Sequence, residues 1–277
     1  MAFKSAVFNN FTKVIKFIFR LNYPTKINCS FLEKVDLVYH LKEKDIKIAC
    51  PNMLNLWRAE TYLTKEPDMI EWLDSFDENC TLLDIGANIG LYSVYAAKKG
   101  IKKVISIEPE SQNYSLLNKN IYLNNLSHKM TALNIGFSDH DGLETLFIPK
   151  FEAGNALNNL GESVDWKKEK FQSDFQQSVI SFSMDSFLSK FPDLFPTHIK
   201  IDVDGIERKI IEGGKNTLKD SRVKQLFIEM NTELKDDMEI IEIMKECGFR
   251  VKSKRNVMPL GTTFGLVCNY IFVKDKL

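Results

Sequence analysis

Two short segments hold the residues best suited to chemistry. Each lies at the end of an apolar stretch and contains at least one acidic side chain, and we call them the two acidic motifs. The first spans residues 82–90 and has the pattern D-x-G-x-N-x-G. Its members are Asp84, Gly86, Asn88 and Gly90, with Ala87 between the second and third. A second apolar stretch follows and ends at Glu108. A strand, a glycine turn, a helix and a strand that ends on a carboxylate indicate the first half of a nucleoside-binding α/β sheet.

The details of this turn favour one nucleoside cofactor over another. A dinucleotide turn, G-x-G-x-x-G, would need glycines at positions 86, 88 and 91, but the chain has Asn88 and Leu91 at the last two. Glu108 is placed to accept hydrogen bonds from ribose hydroxyls, and Asp84 to face a cationic ligand directly or through water. The pattern therefore favours S-adenosylmethionine over NAD. The alternative is a purely structural turn, in which the glycines supply unusual φ angles or close packing.

A third apolar stretch, residues 130–136, is predicted to be the next strand of the sheet. Ser138 and Asp139 follow it. In such a sheet the loop after the third strand lies beside the adenine, so this pair is predicted to contact the ring and its amine. An ordinary Ser/Asp turn is the alternative.

The second acidic motif, Ile199–Glu207, lies where a fourth strand reaches the carboxyl edge of the sheet. Alternation would place Lys200, Asp202 and Asp204 on one side of an ideal strand. We predict that Asp202 acts as a base, with Asp204 or Glu229 as an accessory carboxylate. The alternative is a Mg²⁺ ion held by Asp202, Glu229 and Asn231, all with hard oxygen ligands.

The elements that must position these residues alternate along the chain. We predict a small β-hairpin within residues 33–57, a helical lead-in from Arg58 to Phe76, and then the sheet. Its remaining elements are helices at 89–99, 111–124, 207–213 and 234–247, a fifth strand at 225–230, and a terminal antiparallel hairpin at 249–254 and 264–273. A polar, aromatic-studded insertion at 150–177 is predicted to face the substrate; a disordered loop is the alternative.

Composition excludes some classes of function. The chain has 277 residues with 37 basic and 37 acidic side chains, so no net charge attracts nucleic acid. Five scattered cysteines without a C-x-x-C motif indicate reduced thiols in the cytoplasm and argue against a zinc site.

The N-terminal residues are basic and amphipathic. Residues 1–32 contain no acid, and apolar side chains recur there at helical spacing between lysines. The pattern predicts a helix over residues 1–22. It either lies on the inner face of an anionic membrane as a peripheral contact or, as we favour, packs on the protein or on a second subunit.

Together these motifs resemble the FkbM family of S-adenosylmethionine-dependent methyltransferases. The resemblance rests on Asp84–Gly90, Ile107–Pro109, Ser138–Asp139, Lys200–Glu207 and Ile228–Glu229, together with Lys65–Pro67 and Trp72. It implies a class I methyltransferase domain over residues 58–277, preceded by an extension at 1–57. It further implies a Rossmann-like, mostly parallel seven-stranded sheet whose last strand is antiparallel.

The same resemblance implies O-methyl transfer to a sugar hydroxyl of a glycan, glycolipid or surface polysaccharide, or to a small-molecule hydroxyl such as that of a polyketide. The cofactor would be held by Asp84, Gly86, Ala87, Asn88, Gly90, Glu108, Ser138 and Asp139. Transfer to nitrogen and a non-catalytic cofactor-binding role are the rival hypotheses. The sequence specifies neither the acceptor nor the oligomeric state.

Overall fold

A seven-stranded sheet forms the centre of the molecule, which we describe from a computed structural model. The structure describes residues 35, 37–165, 167–257 and 266–274. The predicted helix over residues 1–22 lies outside these ranges, so membrane contact through it stays a prediction.

The order of the sheet is that of a class I methyltransferase. Its strands are β3 (Thr81–Ile85), β4 (Lys103–Ile107), β5 (Met130–Leu133), β10 (His198–Ile201), β11 (Gln225–Asn231), β12 (Phe249–Asn256) and β13 (Val267–Lys274). In space they run β12-β13-β11-β10-β3-β4-β5, and β13 is antiparallel to the other six. The predicted fold class, with its antiparallel last strand and terminal hairpin, is confirmed.

Helices cover both faces of this sheet and bury two separate cores. Neighbouring strand residues such as Leu82 and Leu83 point to opposite faces, so β3, β4, β11 and β13 each contribute to both cores. Four helices pack into the first core: α1 (Met53–Lys65), α2 (Pro67–Asp74), α3 (Leu91–Lys98) and α4 (Ser111–Leu123). Four others pack into the second: α5 (Met184–Lys190), α6 (Glu207–Glu212), α7 (Lys215–Lys219) and α8 (Lys235–Glu246).

The predicted lead-in from Arg58 to Phe76 consists of two helices. α1 begins earlier than predicted because Asn52 caps it, its side-chain oxygen accepting a hydrogen bond from the Asn55 amide. Pro67 then occupies the first turn of α2, as expected for a residue that lacks an amide hydrogen. Glu66 lies at the break between the two helices.

The predicted third strand is too long. β5 ends at Leu133, and residues 136–138 form β6 (Gly136–Ser138) of a second sheet with the order β6-β9-β7-β8. The other strands of that sheet are β7 (Gly142–Ile148), β8 (Asn159–Leu160) and β9 (Phe175–Ser183). β6 changes sheet because its residues pair with β9, with Gly136 opposite Ser181.

The chain divides into Met1–Val38 and Tyr39–Leu277. In the second unit the hairpin strand β2 (Ile46–Ala49) is held by α4, since Asn124 and Asn120 accept hydrogen bonds from the amides of Lys47 and Ala49. The compact unit therefore includes this strand, and the predicted boundary at residue 57 stays a prediction.

The described cysteines (Cys50, Cys80, Cys247 and Cys268) are free thiols. Within the described part of the chain, no helix has both the length and the apolar character that crossing a membrane requires.

Candidate functional site

A cavity of about 390 Å³ opens at the carboxyl ends of β3, β4, β10 and β11. Its size is in the range of small-molecule and cofactor sites. The walls come from the turn after β3, from Glu108, from the segment after β10, from α1, and from residues 155–158 of the insertion. This is the edge at which open α/β sheets bind ligands.

The glycine turn has a backbone that explains its spacing. Gly86, Asn88 and Gly90 all have left-handed φ angles, of +80°, +50° and +82°. Glycine adopts this conformation without strain, and asparagine tolerates it better than most residues. A Cβ atom on Gly86 would lie 2.0 Å from the carbonyl oxygen of Asp202. The close approach of β3 to the end of β10 therefore requires glycine there.

The backbone amides of this turn are satisfied within the protein. The amides of Gly86 and Ala87 donate to the Ile107 carbonyl, and the Gly90 amide donates to the Ala87 carbonyl. The Asn88 amide donates to the Glu108 carboxylate at 2.7 Å, and the Ile89 amide to the Asn88 side chain at 2.9 Å. A diphosphate needs free amides at such a turn, and these five are already used.

Glu108 lies at the base of the cavity and is 5% exposed. Its two carboxylate oxygens accept hydrogen bonds from the amides of Asn88 and Glu110. Burial raises its pKa to about 7, although both hydrogen bonds favour the charged form. Each oxygen retains a second acceptor site, so the carboxylate can still bind a ribose hydroxyl.

Asp84 does not face the cavity. It is 1% exposed, its carboxylate lies 3.0 Å from Lys200 Nζ, and it accepts a hydrogen bond from Ser93 at 2.5 Å. Asp84 therefore faces a cation of the chain itself, and its predicted role toward a cationic ligand, directly or through water, stays a prediction. Lys200 does line the cavity.

Ser138 and Asp139 do not line the cavity either. Ser138 is buried in β6, and Asp139 pairs with His140 at 2.6 Å. They are displaced because β6 belongs to the second sheet, so Asn134 follows the third strand instead. Asn134 donates to the backbone carbonyls of Glu108 and Pro109. The placement gives no support to the predicted adenine contact.

The structure brings Asp202, Asp204 and Glu229 together on the other side of the cavity. Burial alone would raise the pKa of Asp202, but the Lys200 ammonium, 3.1 Å away, holds it below the usual value. Burial and the charge of Asp202 raise the pKa of Asp204 to about 7, although the Leu157 amide donates to its carboxylate at 2.6 Å. Burial and the same charge raise the pKa of Glu229 well above its usual value.

Several lining residues on or beside α1 and α3 were not predicted as site residues. Among them are Arg58, Lys65, Glu66 and Tyr92. Lys65 Nζ lies 2.9 Å from the Glu66 carboxylate, whose pKa is raised by burial and by Asp202. The available signal was the spacing of Arg58 and Lys65, which lie seven positions apart and so share one face of a helix.

The predicted magnesium site finds no support. Among the described residues there is no group of three or more His, Cys, Asp or Glu side chains placed to hold a metal ion. Lys200 Nζ lies 3.1 Å from Asp202, so this carboxylate already has a cationic partner. Asn231 lies outside the cavity lining, and its amide donates to Asp237.

Residues 155–158 of the insertion lie over the cavity and contact both of its sides, and we call this segment the roof. The carbonyl oxygen of Asn155 accepts hydrogen bonds from the side chains of Asn88 and Asn113. Two residues later the Leu157 amide binds Asp204. The segment thus contacts both acidic motifs, in keeping with the predicted substrate-facing role.

Comparison with known proteins adds family evidence to this geometry. The model of the methyltransferase FkbM domain matches residues 84–251. Methyltransferase sdnD of Sordaria araneosa is 29% identical over 156 residues, which cover 49% of this chain and 60% of that protein. The hexuronic acid methyltransferase AglP of Haloferax volcanii is 23% identical over 192 residues, which cover 69% and 72%.

A solved structure, the methyltransferase FkbM of Methylobacillus flagellatus, is 19% identical with a TM-score of 0.47 and covers 71% of this chain and 44% of that one. This chain thus spans well under two thirds of that structure and about 60% of sdnD. The family model, by contrast, matches more than half of the chain and includes both acidic motifs. This protein belongs to the FkbM methyltransferase family.

Proposed function

We propose that this protein transfers the methyl group of S-adenosylmethionine to a hydroxyl group of a sugar in a glycan, glycolipid or surface polysaccharide. The observation that carries the cofactor choice is the turn whose five amides are satisfied internally beside a buried Glu108. The name of the relative AglP, a hexuronic acid methyltransferase, supports a sugar acceptor.

The cavity residues fit this cofactor in two ways. Glu108 and the turn around Asn88 form a phosphate-free nucleoside site. Beyond it, Asp202, Asp204, Glu66 and Glu229 form an acidic wall suited to the positively charged end of the cofactor. When bound, S-adenosylmethionine supplies a methyl group on a positively charged sulfur, which makes the methyl carbon electrophilic.

The chain itself must remove a proton, since an alcohol is a poor nucleophile while it keeps one. Asp204 is the better acceptor of that proton, because a base works best when its pKa lies near the working pH, and its own is about 7. Asp202, which Lys200 keeps ionised, accepts a hydrogen bond from the acceptor and orients it. Exclusion of water by the roof at residues 155–158 would keep the aligned groups dry.

Calorimetric titration tests the cofactor assignment. Wild-type protein should bind S-adenosylmethionine and S-adenosylhomocysteine, and NAD should give no heat. Binding of NAD without a response to S-adenosylmethionine would overturn the proposal.

Comparison of two variants tests the roles of the carboxylates. Asp204→Asn should lose about a hundredfold or more in turnover, in line with the loss of a general base, while its affinity for the cofactor should fall far less, by the contribution of one carboxylate of the acidic wall. Asp202→Asn should instead raise the KM for the acceptor. A fully active Asp204→Asn would remove Asp204 from the role of base. Mass spectrometry of surface glycans from cells with and without the protein would identify the methylated sugar.

A further inference from the structure

Helix α1 turns one continuous face toward the cavity. The lining residues on it recur at intervals of three and four: Leu54, Trp57, Arg58, Thr61, Tyr62 and Lys65. This spacing is that of a single helical stripe. Because the turn and Glu108 already provide the nucleoside site, the α1 face is available to a second ligand.

The cations of the cavity differ in how they are paired. Lys65 has Glu66 at 2.9 Å, and Lys200 has two carboxylates at 3.0 and 3.1 Å. Arg58, in contrast, has no carboxylate within 4.0 Å among the described residues. Its Nε donates to the Gly154 carbonyl at 2.7 Å, which fixes the plane of the guanidinium. An arginine carries five N–H donors, so the four on its terminal nitrogens remain for a ligand or water.

Arg58 also lies on the side of the cavity where methyl transfer is proposed. Burial lowers the pKa of its guanidinium, and the charges of Asp202 and Asp204 oppose that effect more than any other groups do. A guanidinium with free terminal nitrogens matches the planar, bidentate geometry of a carboxylate. A phosphate monoester fits less well, because it carries nearly two negative charges. It would lie near the negative charge of Asp202, with Arg58 alone to balance it.

Trp57, the residue before Arg58 on α1, lines the same cavity and is 46% exposed. A half-exposed indole at a cavity wall offers a flat apolar surface at small cost in conformational entropy. The apolar C–H face of a sugar ring is a suitable partner for it. Trp57 and Arg58 thus offer a ring platform and an anion site on the wall of one cavity.

We propose that the acceptor is an acidic sugar, a uronic acid unit whose carboxylate binds Arg58 while its ring packs on Trp57. This inference rests on the proposed function and narrows its substrate class. The carboxylate holds the ring so that a neighbouring hydroxyl faces Asp204.

The experiment titrates two sugars into protein saturated with S-adenosylhomocysteine. They are the methyl glycosides of glucuronic acid and of glucose, which differ only in the carboxylate. Wild-type protein should bind the uronide about tenfold to a hundredfold more tightly, in line with charge-assisted hydrogen bonds in a partly desolvated site. Arg58→Gln should abolish this preference and leave the affinity for S-adenosylhomocysteine unchanged.

Further variants separate this role from a structural one. Arg58→Lys should restore only part of the preference, because lysine keeps the charge and loses the bidentate geometry. Trp57→Ala should weaken both sugars equally. Glu60→Gln, an exposed change on α1, is the matched control and should alter neither.

Two results would overturn the inference alone: equal affinity of wild-type protein for the two sugars, or weaker S-adenosylhomocysteine binding in Arg58→Gln. The second result would assign Arg58 to the carboxylate of the cofactor. If the wild-type protein binds no S-adenosylhomocysteine, the proposed function fails and the inference with it.

Discussion

Lys200 connects the two acidic motifs, and its replacement by methionine is the most informative perturbation of the site. The ammonium lies 3.0 Å from Asp84, 3.1 Å from Asp202 and 3.3 Å from the Gly86 carbonyl oxygen. Both Lys200 and Asp84 are 1% exposed. Lys200→Met keeps the apolar stem and removes the charge, so the Asp84 carboxylate is left in the core with Ser93 as its one side-chain partner among the described residues.

The cost follows from the burial of the pair. Removing one partner of a buried ion pair lowers the free energy of unfolding by about 3–5 kcal/mol, because the remaining charge has neither water nor a counter-ion. With a urea dependence of about 3 kcal/mol per M, the unfolding midpoint of Lys200→Met should fall by about 1–2 M. Loss of the ammonium should also raise the pKa of Asp202, since burial would then act with less opposition.

Urea unfolding followed by tryptophan fluorescence measures this effect. Lys102→Met changes an exposed residue just before β4 of the same sheet and is the matched control. It should change the free energy of unfolding by less than about 0.5 kcal/mol. The double variant Asp84→Asn/Lys200→Met should recover much of the loss, because the fully buried charge of Asp84 is gone and Asp202, whose side chain is 31% exposed, can be solvated. A single-variant loss below about 1 kcal/mol, or no recovery in the double variant, would refute the assignment of a strong buried pair.

Three other predictions test separate features of the structure. Glu108→Ala should raise the dissociation constant for S-adenosylmethionine about tenfold to a hundredfold by calorimetry, from one or two lost hydrogen bonds to ribose, and an unchanged constant would contradict the ribose role. The turnover rate should rise with pH through a midpoint at or below about 7, where Asp204 loses its proton, because the bound sulfonium favours the ionised carboxylate, and in Asp204→Asn this limb should be absent from the pH–rate profile. Burial lowers the pKa of His198 to about 4, so its contribution to stability is complete above the unfolded pKa of about 6.5 and is lost as pH falls toward 4. His198→Phe, which keeps the ring packing against Phe76, should remove up to about 3 kcal/mol of acid destabilisation in that window by urea unfolding at several pH values.

The fold was predictable because its signals are local. The D-x-G-x-N-x-G turn lies between an apolar strand and a helix, and the structure shows why each spacing is needed: three left-handed residues at alternate positions. Glu108 follows at the expected spacing in the sequence, and its carboxylate accepts a hydrogen bond from the Asn88 amide. Such features depend on residues about 20 positions apart.

The site was only partly predictable because its remaining contacts join distant parts of the chain. Alternation correctly placed Lys200 and Asp202 on one side, but it gave no sign that Lys200 lies opposite Asp84 on the neighbouring strand. Arg58 belongs to a helix that precedes the sheet altogether. The third strand was predicted to extend to Gly136 for a similar reason: Gly136 continues the apolar stretch in the sequence, but its pairing with Ser181 of the distant strand β9 places it in the second sheet.

The two sides of the cavity favour different chemical groups, and together they indicate the class of ligand. On the side of β3 and β4, the amides of the turn are used internally, so a diphosphate would have to break existing hydrogen bonds to bind. On the side of β10 and β11, the carboxyls of Asp204 and Glu229 have raised pKa values, because burial and mutual repulsion disfavour their charged forms. A cation that enters this region lowers the free energy of those charged forms and is attracted in return. The nicotinamide ring of NAD⁺ carries such a charge but is joined to its adenosine through a diphosphate. A nucleoside linked directly to a sulfonium meets both demands, and for this reason the combination of Glu108 with the acidic wall, more than either motif alone, points to S-adenosylmethionine.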